Sequence, residues 1–176
     1  ERFAQAGTQG ENQLWMQVSH SGRQTQKEVN PRPKAPSAVA VALPGGMFGE
    51  PVALTEGEII ELIGRFALAS RVAKETGFTG VQIHAAHGYL ISGLLSPKSN
   101  IRGDDYGGPL ENRLRWPLEV FAAVRAVWPA ERPMSVRISA HDWVEGGITP
   151  DAAVAIARAF KAAGADMIDC SSGQVS

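Results

Sequence analysis

The stretch Val81-Gln82-Ile83-His84-Ala85-Ala86-His87-Gly88-Tyr89-Leu90 reads as the end of an apolar strand that turns and enters a helix-like segment. In a βα unit, the residues at the carboxyl end of the strand face the place where chemistry is done. A turn carrying a second histidine three residues after the first can aim both imidazoles at one acceptor atom, with the phenol of Tyr89 beside them. Two other readings stay open for the pair: zinc ligands, or turn histidines satisfied by local hydrogen bonds.

Working outward, the spacing predicts four strands, at about 13 to 19, 79 to 84, 134 to 139 and 166 to 171. Their largely apolar character suits parallel strands buried on both faces. Between the first two, Thr55 and Glu58 form a capping-box pattern, Ile59, Ile63, Phe66, Ala67 and Ala73 keep helical spacing, and Gly77 supplies the stop. A segment from about Leu110 to Val127 places Val120, Phe121, Val124 and Val127 on one side, and Pro117 is expected to kink it or to mark a fresh start. The last helix should begin at Thr149-Pro150, a cap followed by a first-turn proline, and end by Gly164. Strands alternating with helices make a parallel α/β pattern.

Residues 27 to 54 break that rhythm with Pro31, Pro33, Pro36, Pro44, Gly45, Gly46, Gly49 and Pro51, and are expected to form one long loop of the lid or ligand-binding kind. Its Arg32 and Lys34, with Arg23 and Lys27 nearby, could meet a phosphate of a nicotinamide cofactor or a coenzyme A ester, or form a solvated face. With 176 residues, a net charge of −1 and 44% hydrophobic side chains, the chain reads as an ordinary globular one with no charge excess to draw it to nucleic acid or a membrane surface. No apolar run reaches the ~20 residues of a spanning helix and nothing reads as a signal peptide, so a cytoplasmic setting is expected. The single cysteine, Cys170, is expected to be a small hydrophobe in a buried strand.

Further motifs follow the histidine turn in a fixed order: Leu94-Leu95-Ser96-Pro97, Asn100-Ile101-Arg102-Gly103-Asp104-Asp105-Tyr106-Gly107-Gly108 and Glu111-Asn112-Arg113. Together with Gln13-Leu14-Trp15-Met16-Gln17-Val18-Ser19-His20-Ser21-Gly22-Arg23 and the strand ending Asp169-Cys170-Ser171-Ser172-Gly173, they make the chain resemble the old yellow enzyme family of NAD(P)H:flavin oxidoreductases and ene-reductases over nearly its whole length. Gly93 and Leu94 depart from the pattern, standing where relatives often carry a polar residue and then an aromatic one.

The resemblance implies a (β/α)8 TIM barrel. Such a barrel takes about 250 residues, so residues 1–176 are expected to be its central part, strands three to six, with the first and last strands missing. It implies FMN as cofactor, NAD(P)H as reductant and a small molecule with a carbonyl-conjugated alkene as substrate. His84 and His87 would bind and polarise the carbonyl, and Tyr89 would give the proton; a phenol is ordinarily protonated at neutral pH. Gln17 matches the glutamine that meets the flavin pyrimidine edge, and Arg137 the arginine beside the ring, where positive charge favours reduced flavin. Read by itself, an arginine flanked by Val136 and Ile138 needs a partner to offset desolvation. Arg102, Asp105, Tyr106, Gly107, Gly108, Asn112 and Arg113 are read as fixing the loop after the histidine turn.

Two alternatives compete with this reading. One is an inactive half-barrel that only dimerises or binds a partner, since an open barrel exposes strand edges. The other is a zinc-dependent barrel hydrolase using His84 and His87; His20, His141 or Asp142 would then have to converge from other strands. No metal is expected, and a homo-oligomer stays open.

Overall fold

The computed structural model describes residues 1–42 and 45–173; Pro44, named above, lies outside them. The elements in chain order are α1 (Arg2–Gly7), β1 (Trp15–Val18), β2 (Lys34–Ala35), β3 (Val52–Ala53), α2 (Glu56–Glu75), β4 (Gly80–Ala85), α3 (Leu90–Leu95), α4 (Leu110–Val127), β5 (Met134–Ser139), α5 (Pro150–Ala162) and β6 (Met167–Ser171). Four strands pair in the order β1-β4-β5-β6, all parallel. Successive strands are therefore neighbours, each joined to the next by a crossover that carries a helix, as in a barrel wall.

Register and pleat divide the sheet into two chemically different faces. Gln17 pairs with Gln82, Gln82 with Ser135, His84 with Arg137 and Arg137 with Asp169. Because side chains alternate along a strand, these polar residues share one face. The intervening Val81, Ile83, Met134, Val136 and Ile138 point the other way, at most 2% exposed, into the core with α2, α4 and α5. The strands are thus apolar only toward the helices, whereas the sequence reading expected both faces buried.

The helix boundaries follow their chemistry. Thr55 accepts from the Glu58 amide while the Glu58 carboxylate accepts from the Thr55 amide at 2.9 Å, closing the capping box. Thr149 accepts from Ala152 and Pro150 opens α5. Pro117 starts no new segment: α4 is one helix from Leu110 to Val127 with Pro117 buried inside it. The hydrogen bond missing at Pro117 is outweighed by burial of Leu114, Trp116, Val120, Phe121 and Val124, since packing of the apolar face dominates helical stability. The Trp116 indole also donates to the Ile59 carbonyl at 2.9 Å, tying α4 to α2.

Two further expectations change. Residues 27–54 are not structureless: β2 and β3 pair in parallel, and Gln26 bridges Phe48. Arg102 holds this loop by donating to the carbonyls of Pro36 and Leu54, at 2.9 and 2.6 Å, while it pairs with Asp104. Cys170 is exposed rather than buried. It lies on β6, which pairs only with β5 among the described residues, so one flank of the strand is open.

Candidate active site

The turn after β4 is held by its backbone before its side chains do anything. His87 and Gly88 adopt positive φ of 62° and 73°. Glycine takes that conformation freely, but histidine does so only where surroundings impose it. Here the His87 amide donates to Ser139 Oγ at 2.9 Å, the His87 carbonyl accepts from Gln24 at 2.7 Å, and the Gly88 amide donates to Ser92 Oγ at 3.2 Å. The Leu90 amide donates to the His20 carbonyl at 3.0 Å, fixing the start of α3 to the segment after β1. Gly22, at φ 57°, lets that segment pass so close that a Cβ would stand 3.0 Å from the Leu90 backbone.

This scaffold brings the three predicted chemical side chains together. The His84 ring centre lies 5.0 Å from that of His87 and 5.1 Å from that of Tyr89, both edge-on. Burial, reinforced by the neighbouring His87 and Arg137 charges against the opposing Asp169, pushes His84 down to about 4. Burial and Arg137 also lower His87, again opposed by Asp169. Both rings are therefore neutral at neutral pH, each with a single N–H to give. In His84, Nδ1 accepts from the Ala86 amide at 3.2 Å, which assigns the proton to Nε2.

The predicted cofactor residues sit on the same polar face, joined by a continuous network. Gln17 donates to Gln82 Oε1 at 2.7 Å, and Gln82 donates to Ser135 Oγ at 3.1 Å and to Asp169 at 3.2 Å. Asp169 stands 3.6 Å from Arg137 Nη1, the ion-pair partner a half-buried guanidinium requires. Arg137 Nη2 donates to Ser171 Oγ at 3.2 Å, and Ser171 Oγ lies 2.7 Å from His87 Nε2. Gln17, His84, His87, Tyr89 and Arg137 all line one open cavity of about 720 Å³ at the carboxyl ends of the strands, with Ser19, Gln24 and Val29 completing part of its wall. Gln82, Asp169, Ser139 and Ser171 were not singled out from sequence. Period-two alternation from His84 and Arg137 would have pointed to Gln82 and Ser139 on the same polar face, but no site residue on β6 was singled out from which to reach Asp169 and Ser171.

The remaining candidates lie apart from this chemistry. His20 Nδ1 accepts from the Gly22 amide and His141 Nδ1 from the Trp143 amide, while Asp142 accepts from Ser96 and the Ile148 amide. Among the described residues, no group of three or more His, Cys, Asp or Glu side chains is placed to hold a metal ion. Of the basic residues in and near the long loop, Arg23 is buried and donates to the Val39 carbonyl, Lys34 pairs with Glu58 at 2.5 Å, and Lys27 and Arg32 are exposed. No helix among the described residues is long and apolar enough to cross a membrane.

The family model described as the NADH:flavin oxidoreductase / NADH oxidase family matches residues 2–175. An NADPH dehydrogenase of Clostridium acetobutylicum is 44% identical over 169 residues, 93% of this chain and 47% of the relative. An NADPH dehydrogenase of Bacillus subtilis is 39% identical over 98% of this chain and 50% of its own length. The chain thus spans about half the length of these curated relatives. Among solved structures, the old yellow enzyme homologue of Zymomonas mobilis superposes with a TM-score of 0.85 at 31% identity, covering 98% of this chain and 51% of that one. A 2-naphthoyl-CoA reductase in complex with 2-naphthoyl-CoA gives 0.93 at 29% identity, covering 98% and 28%. The four-stranded parallel sheet with its helices is part of a TIM barrel, and the chain belongs to the NADH:flavin oxidoreductase / NADH oxidase family, the old yellow enzymes.

Proposed function

We propose that this chain forms the substrate side of an FMN-dependent NAD(P)H oxidoreductase that reduces carbonyl-conjugated alkenes. The observation that carries the reading is the convergence of Gln17, His84, His87, Tyr89 and Arg137 on one cavity. Its volume of about 720 Å³ suits a small-molecule site, ordinarily about 300–1,000 Å³.

The residues present fit a flavin. Gln17 has its amide nitrogen engaged by Gln82, which leaves its carbonyl oxygen to accept from a ring N–H. Arg137 Nε is buried with no partner of its own, so this guanidinium is not fully satisfied by the chain. FMN, when bound, supplies the hydride that no side chain can give, at the expense of NAD(P)H. N–H groups of the two histidines would hold the substrate's carbonyl oxygen and stabilise the negative charge that reduction of the conjugated alkene develops there. Loss of one such preorganised donor costs about 2.7–4 kcal/mol of barrier, at least a hundredfold in rate. Tyr89 then passes its phenolic proton to the α carbon and completes the saturated product.

The relatives named NADPH dehydrogenase and NADH oxidase, and structural neighbours named as reductases of morphinone and 2-naphthoyl-CoA, support this class of reaction. The test is visible absorbance after mixing the chain with FMN and removing the excess by gel filtration, for wild type and for Arg137→Ala. Flavin retained by the former and lost from the latter is expected. Flavin absent from both would refute cofactor binding by this chain.

A further inference from the structure

We infer that Ser171, oriented by Arg137, fixes the tautomer of His87, so that the two histidines present opposite ring nitrogens to the substrate. The inference rests on the reading of His84 and His87 as a carbonyl-binding pair and adds to it the residue that makes the second donor available.

His87 is held along one edge of its ring. Nε2 lies 2.7 Å from Ser171 Oγ, and a Cβ on Gly173 would stand 2.8 Å from the adjacent Cδ2, so that edge is packed against the chain leaving β6. Nδ1 makes no hydrogen bond to any described residue. It is the polar atom of His87 left for a ligand, and it can donate only if it carries the ring's one proton.

Ser171 decides whether it does. Its oxygen accepts from Arg137 Nη2 at 3.2 Å. A charged donor on a hydroxyl oxygen draws density from it and makes its own hydrogen a better donor, and such charge-assisted bonds are the stronger kind. The nearest acceptor is His87 Nε2, so the hydroxyl donates there and the imidazole proton is left on Nδ1. Arg137 is held for this task by Asp169, 3.6 Å away, and Asp169 in turn accepts from Gln82. His84 is set the other way by a backbone amide on Nδ1 and offers Nε2. One histidine is therefore fixed by the main chain of its own turn, and the other by a side chain two strands away. Ser171 is a positioning residue acting through His87.

The experiment is nitrogen-15 NMR of the histidine-labelled chain without flavin, for wild type, Ser171→Ala and Ser171→Thr. In wild type, the protonated-type resonance should belong to Nδ1 in His87 and to Nε2 in His84. In Ser171→Ala the His87 assignment should move toward Nε2 while His84 stays unchanged, which also reports that the turn is intact. Ser171→Thr keeps the hydroxyl and should restore the wild-type pattern. A wild-type His87 protonated on Nε2, or an unchanged His87 in Ser171→Ala, overturns the inference. Because no flavin is present, failure to bind FMN would sink the functional reading while leaving this result standing, and the reverse outcome is equally legible.

Discussion

Acidification should destabilise this protein through His84 in particular. The residue is 6% exposed and its imidazole is pushed from 6.5 down to about 4, chiefly by burial, then by the His87 and Arg137 charges, with Asp169 opposing. Between those two values the unfolded chain binds a proton at this position that the folded chain refuses. Stability is therefore full above pH 6.5 and is lost as pH falls through 4. At about 1.4 kcal/mol for each pH unit the gap corresponds to about 3 kcal/mol, and water entering the open cavity lowers the expected loss to about 1.5–3 kcal/mol. For a domain of this size each kcal/mol moves the melting temperature by about 2–4 °C. The assay is thermal denaturation of wild type and His84→Gln from pH 7 to pH 4. Carboxylates and the other histidines titrate in both proteins, so the difference between the two curves reports His84 together with its coupling to His87. Wild type should lose about 3–12 °C more than the variant over that interval. Parallel curves would show that the folded protein accepts the His84 proton without cost, and the argument for a neutral ring would fall with them.

Two stability predictions test the packing beneath the site. Phe121→Ala removes a fully buried ring that meets Phe160 at 5.8 Å between α4 and α5, and should cost about 3–5 kcal/mol by urea denaturation; an unchanged midpoint would mean that this helix contact is not part of the core. Thr55→Ala opens the capping box of α2 and should cost about 1 kcal/mol, read as a fall in melting temperature of about 2–4 °C that Thr55→Ser largely avoids.

The parts of this fold that were legible in the sequence are those written in local chemistry. The capping box, Thr149-Pro150 and the glycine stops each depend on residues within a few positions of one another. The four strands begin and end within two residues of the expected places, because apolar runs between turn residues are local too. Of the two outcomes expected at Pro117, the fresh start does not occur, because burial of the residues around it keeps α4 one helix. Cys170 misled because burial of a strand depends on its neighbours, and β6 has one neighbour among the described residues. In the site, His84, His87 and Tyr89 were found because they fall within six residues of one another, between the end of β4 and the start of α3. Gln17 came only through family resemblance, and Arg137 through that resemblance and the desolvation of an arginine between two apolar residues; both line the same cavity. Ser139 and Ser171 act on His87 across separations of 52 and 84 residues, and register across the sheet, which no short window of sequence contains, is what brings them there.

The polar face of the sheet argues for a ligand on energetic grounds. An inward face built for stability would carry branched apolar side chains in layers; here Gln17, Gln82, His84, Ser135, Arg137, Asp169 and Ser171 occupy it instead. Such a network is tolerable only where its members satisfy one another. Most do, through the chain of bonds from Gln17 to His87. What remains is Gln17 Oε1, His84 Nε2, His87 Nδ1, Arg137 Nε and the Tyr89 hydroxyl, each without a partner among the described residues and each on a residue lining the same cavity. Folding leaves these groups unpaired together, in one place, with one acceptor on the side of Gln17 and hydrogen-bond donors on the side of the histidine turn. A cavity whose unpaired groups include both an acceptor and donors, carried on different elements, is suited to two different molecules.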